Sequence, residues 1–366
     1  MTLILTVILV ALVFEYINGF HDTANSIATV VSTKVLSPRQ AIALAAGTNL
    51  AGAMWGTAVA KTISSGLLDA KVFAMTNEVL ICALAGAIVW NLITWYFGMP
   101  SSSSHALVGG LCGAALAAAH NNWKVVIWAQ PGAGHWWNGK GVLWKVVVPM
   151  ITSPLCGFIL GLVLMALLYL ILQKMRPHRI NVIFGKLQIF SAAGMGFMHG
   201  TNDAQKTMGI VALALLAATQ AGSFEHLPGW LHFLRTPPPA PGKALEIAIW
   251  IKVVCALTMA SGTAAGGWRI IRTLGHKMVK LHPINGFAAE TSSSTVIFAA
   301  TTLGIPVSTT HNISAAIMGV GAARKLSAVK WPVVEAMVWA WIFTIPVTGG
   351  IGFGLVKLLQ ALGVIH

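Results

Sequence analysis

Ten long apolar stretches divide this chain, at about residues 2–18 (running on to 32), 40–60, 79–97, 105–119, 143–173, 187–217, 244–264, 284–303, 305–322 and 332–360. A helix needs about 20 mostly apolar residues to cross a bilayer, and most of these stretches offer them. Charged residues make up only 9% of the chain, against roughly 25% in a soluble domain. So few charges cannot cover a water-facing surface, and lipid is the solvent the fold requires. The pattern predicts an all-α integral membrane protein of about 10–12 membrane segments. The 105–119 stretch is short, and 143–173, 187–217 and 332–360 are over-long. Runs of such lengths, interrupted by Gly, Pro or Ser, predict discontinuous helices.

The chain also repeats itself. Gly19-Phe-His-Asp-Thr-Ala-Asn25 has a counterpart in His199-Gly-Thr-Asn-Asp-Ala-Gln-Lys206, and Pro100-Ser-Ser-Ser-Ser-His105 has one in Pro306-Val-Ser-Thr-Thr-His311. The Asp element comes first in each copy and the hydroxyl-rich element near the end. An insertion at 218–243 accounts for the longer second copy. Five segments per copy is an odd number, so the second copy enters the membrane from the opposite side, an inverted-topology repeat. This predicts a first transmembrane repeat at 1–173, a basic cytoplasmic linker at 174–186 and a second repeat at 187–366.

The net charge of +14 does not point to nucleic acid. Its basic residues are densest in short gaps between apolar runs: Lys34 and Arg39, Lys174–Lys186, Arg269–Lys280, and Arg324 to Lys330. With all four gaps on the cytoplasmic side the segments alternate without conflict. The long connections 120–142 and 218–243 then lie outside. The first carries tryptophans (Trp123, Trp128, Trp136, Trp137 and Trp144) suited to an interfacial belt, and the second holds the stiff link Pro237–Pro241. The four cysteines, Cys82, Cys112, Cys156 and Cys255, have no metal or redox spacing and read as packing residues. Met1–Val13 reads as the first membrane segment rather than a cleaved signal.

Only nine acidic residues are present, and an ionisable group at membrane depth is costly enough to need a partner or a role. Asp22 and Asp203 recur in matching places. They read either as ligands for a coupling cation, with Asn25 and Asn202 as amide ligands, or as helix caps. Glu15, two helical turns before Asp22, and Glu290 are open between an ion or proton role and an interhelical hydrogen bond. Ser102, Ser103 and Ser104, with Ser308, Thr309 and Thr310, each follow a proline that suits a first helical turn. A helix start with free N–H groups, a positive dipole end and several hydroxyls makes a site for a tetrahedral oxyanion; the plainer reading is capping. His105 and His311 read as hydrogen-bond braces or proton-coupling groups. Lys206, where the first copy has Asn25, either pairs with Asp203 or meets the anion directly.

Together these paired motifs resemble those of the PiT family of inorganic phosphate transporters, over nearly the whole chain. The resemblance implies a multi-pass protein of the bacterial inner (plasma) membrane that symports phosphate with sodium or a proton. It implies no other cofactor, no enzymatic activity and assembly as a homodimer. It also implies that Asp22 and Asp203, with Thr23, Thr201, Gln205 and Lys206, form the cation and phosphate region, with sodium at Asp22 and Asp203 if sodium is the coupling ion. His21 and Lys206 depart from the asparagines that many relatives carry, which leaves the coupling ion open. A sulfate or metal–phosphate permease of the same architecture is the nearest alternative. A hydrolase using Ser104 and His105 lacks a nucleophile-elbow sequence; a passive channel would conduct rather than accumulate.

Overall fold

The computed structural model describes residues 2–69, 72, 75–131, 139–225, 228–238 and 245–365. Every apolar stretch is helical. The first five are α1 (Thr2–Ser32), the bent pair α2 (Pro38–Ala53) and α3 (Ala58–Ser65), α4 (Asn77–Phe97), α5 (Ser103–Ala118) and α6 (Val148–Leu172). The same order returns in α7 (Pro177–Gln220), the bent pair α8 (Ile249–Ala265) and α9 (Trp268–Arg272), α10 (Pro283–Thr302), α11 (Thr309–Arg324) and α12 (Trp331–Ala361). No strand forms among the described residues. Trp136, Trp137 and the Pro239–Pro241 part of the proline link lie outside them.

The discontinuities fall where backbone geometry allows them, not where the Asp motifs are. α1 and α7 run unbroken through Asp22 and Asp203. The bends, of 70° between α2 and α3 and 59° between α8 and α9, pass through Gly56 and Gly266, at φ +77° and +73°. That left-handed region costs a residue with a Cβ but not glycine. The basic stretch expected as a linker is mostly the opening turns of α7, which starts at Pro177.

Two apolar cores lie one above the other. The first takes Ile4–Phe14 of α1 and Ala204–Ala218 of α7; the second takes Ala24–Val30 of α1 and Phe184–Met195 of α7. Between them lies a polar layer. The buried residues of α4 and α5 belong to the first core only, and those of α10 and α11 to the second only. Each pair is therefore a helical hairpin that enters from one side and turns back at the polar layer. This corrects the expectation of ten alternating crossings. Among the described residues six elements run through both cores: α1, α2 with α3, α6 with the turn of helix before it (Leu143–Val147), α7, α8 with α9, and α12. Hydropathy could not show this, because α4 is long and apolar enough to span on its own. α5 and α11 have 16 residues each, about 24 Å of helix, short of a ~30 Å hydrocarbon core.

The halves interlock rather than stand apart. α5 packs on α12 while α11 packs on α6, and α2 packs on α7 while α8 packs on α1. The hairpin tips follow the same exchange. α4 and α10 are each followed by a left-handed glycine, Gly98 and Gly304, at φ +64° and +65°. Thr273 beyond α9 donates to the Gly98 carbonyl at 2.8 Å, and Thr62 of α3 donates to the Gly304 carbonyl at 2.7 Å. The outer surface is lipid-like: the most apolar window, in the helix containing α6, has mean hydropathy 2.8 yet is only 17% buried within the protein.

The α5–α12 contact depends on bare backbone. A Cβ on Gly113 would collide with the carbonyl of Gly349, whereas nothing lies within 4 Å of one on Gly354. Overpacking of this kind costs about 1–3 kcal/mol. Gly113→Val is therefore expected to lower the thermal midpoint of the purified protein by several degrees, while Gly354→Ala does not. Equal midpoints for both variants would contradict this packing.

Candidate functional site

The polar layer is built on α1 and α7, which run antiparallel. Thr207 donates to Glu15 at 2.5 Å towards one end of the seam, and Thr33 to Gln188 at 2.9 Å towards the other. Asp22 and Asp203 meet midway, 2% and 1% exposed. Both sit deep inside their helices, which excludes the capping role for either.

Each aspartate has its own set of partners. Oδ1 of Asp22 lies 2.7 Å from Nδ1 of His21 and accepts from Thr310 at 3.3 Å. Asp203 pairs with the Lys206 ammonium, lies 3.1 Å from Nε2 of His199 and accepts from Thr309 at 2.9 Å. The second nitrogen of each histidine is held in turn. Nε2 of His21 is 3.0 Å from Oγ1 of Thr94, to which Ser101 donates at 2.8 Å. Nδ1 of His199 is 3.2 Å from Oδ1 of Asn49, whose amide donates to Thr263 at 3.0 Å. Such outer contacts fix ring orientation. The residue pattern singles out His21 only as a departure that bears on the coupling ion, and does not single out His199. The signal for His199 was its spacing, four residues before Asp203 on one helix face.

The hairpin tips supply the other wall. Ser102 and Ser308 are N-caps, accepting from the backbone N–H of His105 and His311 at 3.2 Å each. That leaves Ser103, Ser104, Thr309 and Thr310 at the helix starts. Lys206 donates to Ser104 and, at 3.2 Å, to the Val307 carbonyl. Asn25 donates to Thr309 at 3.2 Å and to Thr310 at 2.9 Å. Two positive helix ends, their hydroxyls, one ammonium, one amide and two carboxylates thus converge in a water-poor layer. Oxygen donors of this kind suit a hard cation, and the hydroxyls with the helix ends suit an anion. The carboxylates of Asp22 and Asp203 and a ring nitrogen of His199 lie within 4.8 Å of one another.

Other expected site residues are engaged elsewhere. Thr23 donates to the Gly19 carbonyl at 2.5 Å, and Thr201 to the carbonyls of Phe197 and Gly52 at 2.8 and 3.1 Å. Gln205 holds the α2–α3 bend, accepting from the Val59 N–H at 2.8 Å and donating to the Trp55 carbonyl at 3.2 Å. Asn202 donates to Thr301 at 2.9 Å. Glu290 accepts from Thr29 and Ser191, and from Gln188 at 3.3 Å. His105 and His311 pack edge to face, with centroids 4.8 Å apart, and His311 stacks on Trp341 at 4.1 Å. Ring packing, not side-chain hydrogen bonding, holds His311: neither ring nitrogen has a partner among the described residues.

Sequence comparison agrees with this architecture. The profile of the phosphate transporter family matches residues 18–352. A probable low-affinity inorganic phosphate transporter of Bacillus subtilis (strain 168) is 42% identical over 352 residues, covering 96% of each chain. One of Rhizobium meliloti (strain 1021) is 42% identical over 345 residues, covering 94% of this chain and 92% of the other. Among solved structures, one described as the sodium-dependent phosphate transporter superposes with a TM-score of 0.79 over 99% of this chain and 100% of the other. At 22% identity that likeness speaks to the fold.

Proposed function

The chain belongs to the phosphate transporter family, a family of carriers and not enzymes, and we propose that it imports inorganic phosphate across the plasma membrane by symport with a cation. The carrying observation is the meeting of two hydroxyl-bearing helix starts, Ser103–Ser104 and Thr309–Thr310, with Asp22, Asp203 and Lys206 at mid-depth. Phosphate sits against the two helix ends, held by hydroxyl and N–H donors. The cation sits against the carboxylates and offsets the anion's charge, which lowers the cost of crossing a low-dielectric layer. Hydroxyl donors bind the anion firmly enough to select it and weakly enough to release it.

The exchanged packing and the antiparallel run of α1 and α7 support two inverted repeats, 1–173 and 187–366. The hairpins act as the gates. Hairpin α4–α5 closes one side and α10–α11 the other, each latched by a threonine of the opposite half, Thr273 or Thr62. Alternating access releases one latch at a time. The assembly carried over from the family resemblance is a homodimer, which the mass of the native complex in lipid discs measures.

Phosphate uptake into proteoliposomes tests the reading. An imposed sodium or proton gradient should drive accumulation, and sulfate in tenfold excess should leave it largely intact. Full inhibition by sulfate would move the assignment to that anion. A second reading has one observation behind it: the His199 nitrogen beside the two carboxylates suits a divalent metal better than sodium. Uptake that required magnesium or another divalent ion would make metal–phosphate the cargo.

A further inference from the structure

The two copies of the Asp motif are chemically unequal. In the first, the residue three after the aspartate is Asn25, and its neutral amide spans Thr309 and Thr310. In the second it is Lys206, whose ammonium reaches the corresponding place in the other hairpin, Ser104, donates as well to the Val307 carbonyl of the α10–α11 tip, and pairs with Asp203. Lys206 is 2% exposed, so water does not screen its charge. We infer that the Lys206 ammonium is a tethered substitute for one coupling cation, so that Asp203 carries its counter-charge permanently and only Asp22 recruits a mobile one.

Charge counting at the polar layer supports this. Asp22 and Asp203 bring two negative charges, and Lys206 returns one. Glu15 and Glu290, also buried, take hydroxyl and amide donors of their own from Thr207 and from Thr29, Ser191 and Gln188. With His21 and His199 neutral, the deficit left at the motif pair is therefore a single charge, and it sits nearest Asp22, whose side-chain partners are a histidine and a threonine. A buried charge without a partner is strongly unfavourable, so the polar layer takes up one mobile monovalent cation rather than two. The tether also explains a placement. Ser104 and the Val307 carbonyl belong to the two hairpin tips, so the same ammonium joins both gates to α7. An ammonium on a flexible stem donates to three acceptors at once, here Asp203, Ser104 and Val307.

This inference rests on the symport reading, and one experiment separates their failures. Purified carrier is reconstituted, and the charge moved per phosphate is measured from reversal potentials under sodium and pH gradients. In parallel, equilibrium binding of labelled phosphate is titrated against sodium and against pH in lipid discs. Wild type is expected to show a cation-linkage slope near one. Lys206→Asn should raise the slope to about two and add one charge per phosphate. Asp203→Asn/Lys206→Asn, which removes both members of the pair, should return the slope and the charge count to wild type. That double variant also keeps the test decisive if Lys206→Asn alone fails to fold. An unchanged slope in Lys206→Asn overturns the tethered-cation role while leaving symport intact. Loss of phosphate binding in Lys206→Asn at every cation concentration does the same, by assigning the ammonium to the anion. A double variant with a slope other than the wild-type value also overturns it. A wild-type protein with no cation linkage at all removes the symport reading, and the inference with it.

Discussion

Replacing Asp22 with asparagine is expected to abolish gradient-driven accumulation of phosphate. Asparagine has the same shape, and its carbonyl can still accept from Thr310 and His21, now 3.3 and 2.7 Å from the carboxylate. What it lacks is the charge that attracts a cation into a buried layer. Removing one partner of a desolvated charge pair costs about 2–5 kcal/mol. At about 1.4 kcal/mol per tenfold, cation-linked uptake should fall by roughly 30-fold to several thousand-fold. Asp203 cannot compensate, since Lys206 already pairs with it. The variant should therefore still exchange labelled for unlabelled phosphate faster than protein-free vesicles, without concentrating it. The measurement is accumulation against counterflow in the same proteoliposomes. Wild-type accumulation in Asp22→Asn would show that the coupling cation binds elsewhere, with Glu290 and its ring of donors the next place to look.

Much of this site was visible in the residue pattern because the chain states it twice. One buried aspartate is ambiguous, but two at matching places, each followed by a proline and a hydroxyl run ending in histidine, put four elements at one depth. The depth at which helices stop was not visible. α4 is as apolar as a true span, and its turn-back is set by Gly98 and Pro100 together with the Thr273 contact from the other half. That contact joins residues 175 apart in sequence, beyond the reach of any local window. Gln205 shows the same limit. Its neighbours suggested a substrate ligand, yet its amide serves a helix start 146 residues away. Thr23 and Thr201 are engaged for a local reason: inside a continuous helix a threonine hydroxyl can reach the carbonyl one turn back, and theirs donate to Gly19 and Phe197. Of the over-long runs, 187–217 belongs to a motif helix, and both motif helices stay unbroken through Asp22 and Asp203; the bends fall instead at Gly56 and Gly266, within the helix pair that follows each of them.

Removing the hydroxyls of Thr309 and Thr310 together, as valines, is expected to raise the KM for phosphate by roughly 10- to 100-fold. Valine preserves the branched shape, so the start of α11, capped by Ser308, should persist. In the structure these hydroxyls donate to the two aspartates, Thr309 to Asp203 at 2.9 Å and Thr310 to Asp22 at 3.3 Å. A hydroxyl proton rotates freely, so the same groups turn to an arriving anion once a cation covers the carboxylates. Hydrogen bonds to charged partners are each worth about 1.5–3 kcal/mol. Two at one site do not simply add, which sets the expected range. Losing an interaction made equally in the bound and crossing states raises KM more than it lowers the maximal rate, so the maximal rate should fall far less. Thr152→Val is the matching control, because that hydroxyl is exposed on α6 and donates to its own helix at Val148. Initial-rate uptake over a range of phosphate concentrations at saturating cation decides the matter. An unchanged KM with a weakened cation dependence would mean that these threonines serve the carboxylates alone. The anion would then rest on the α5 tip, where Ser103 is buried with a hydroxyl that has no partner among the described residues.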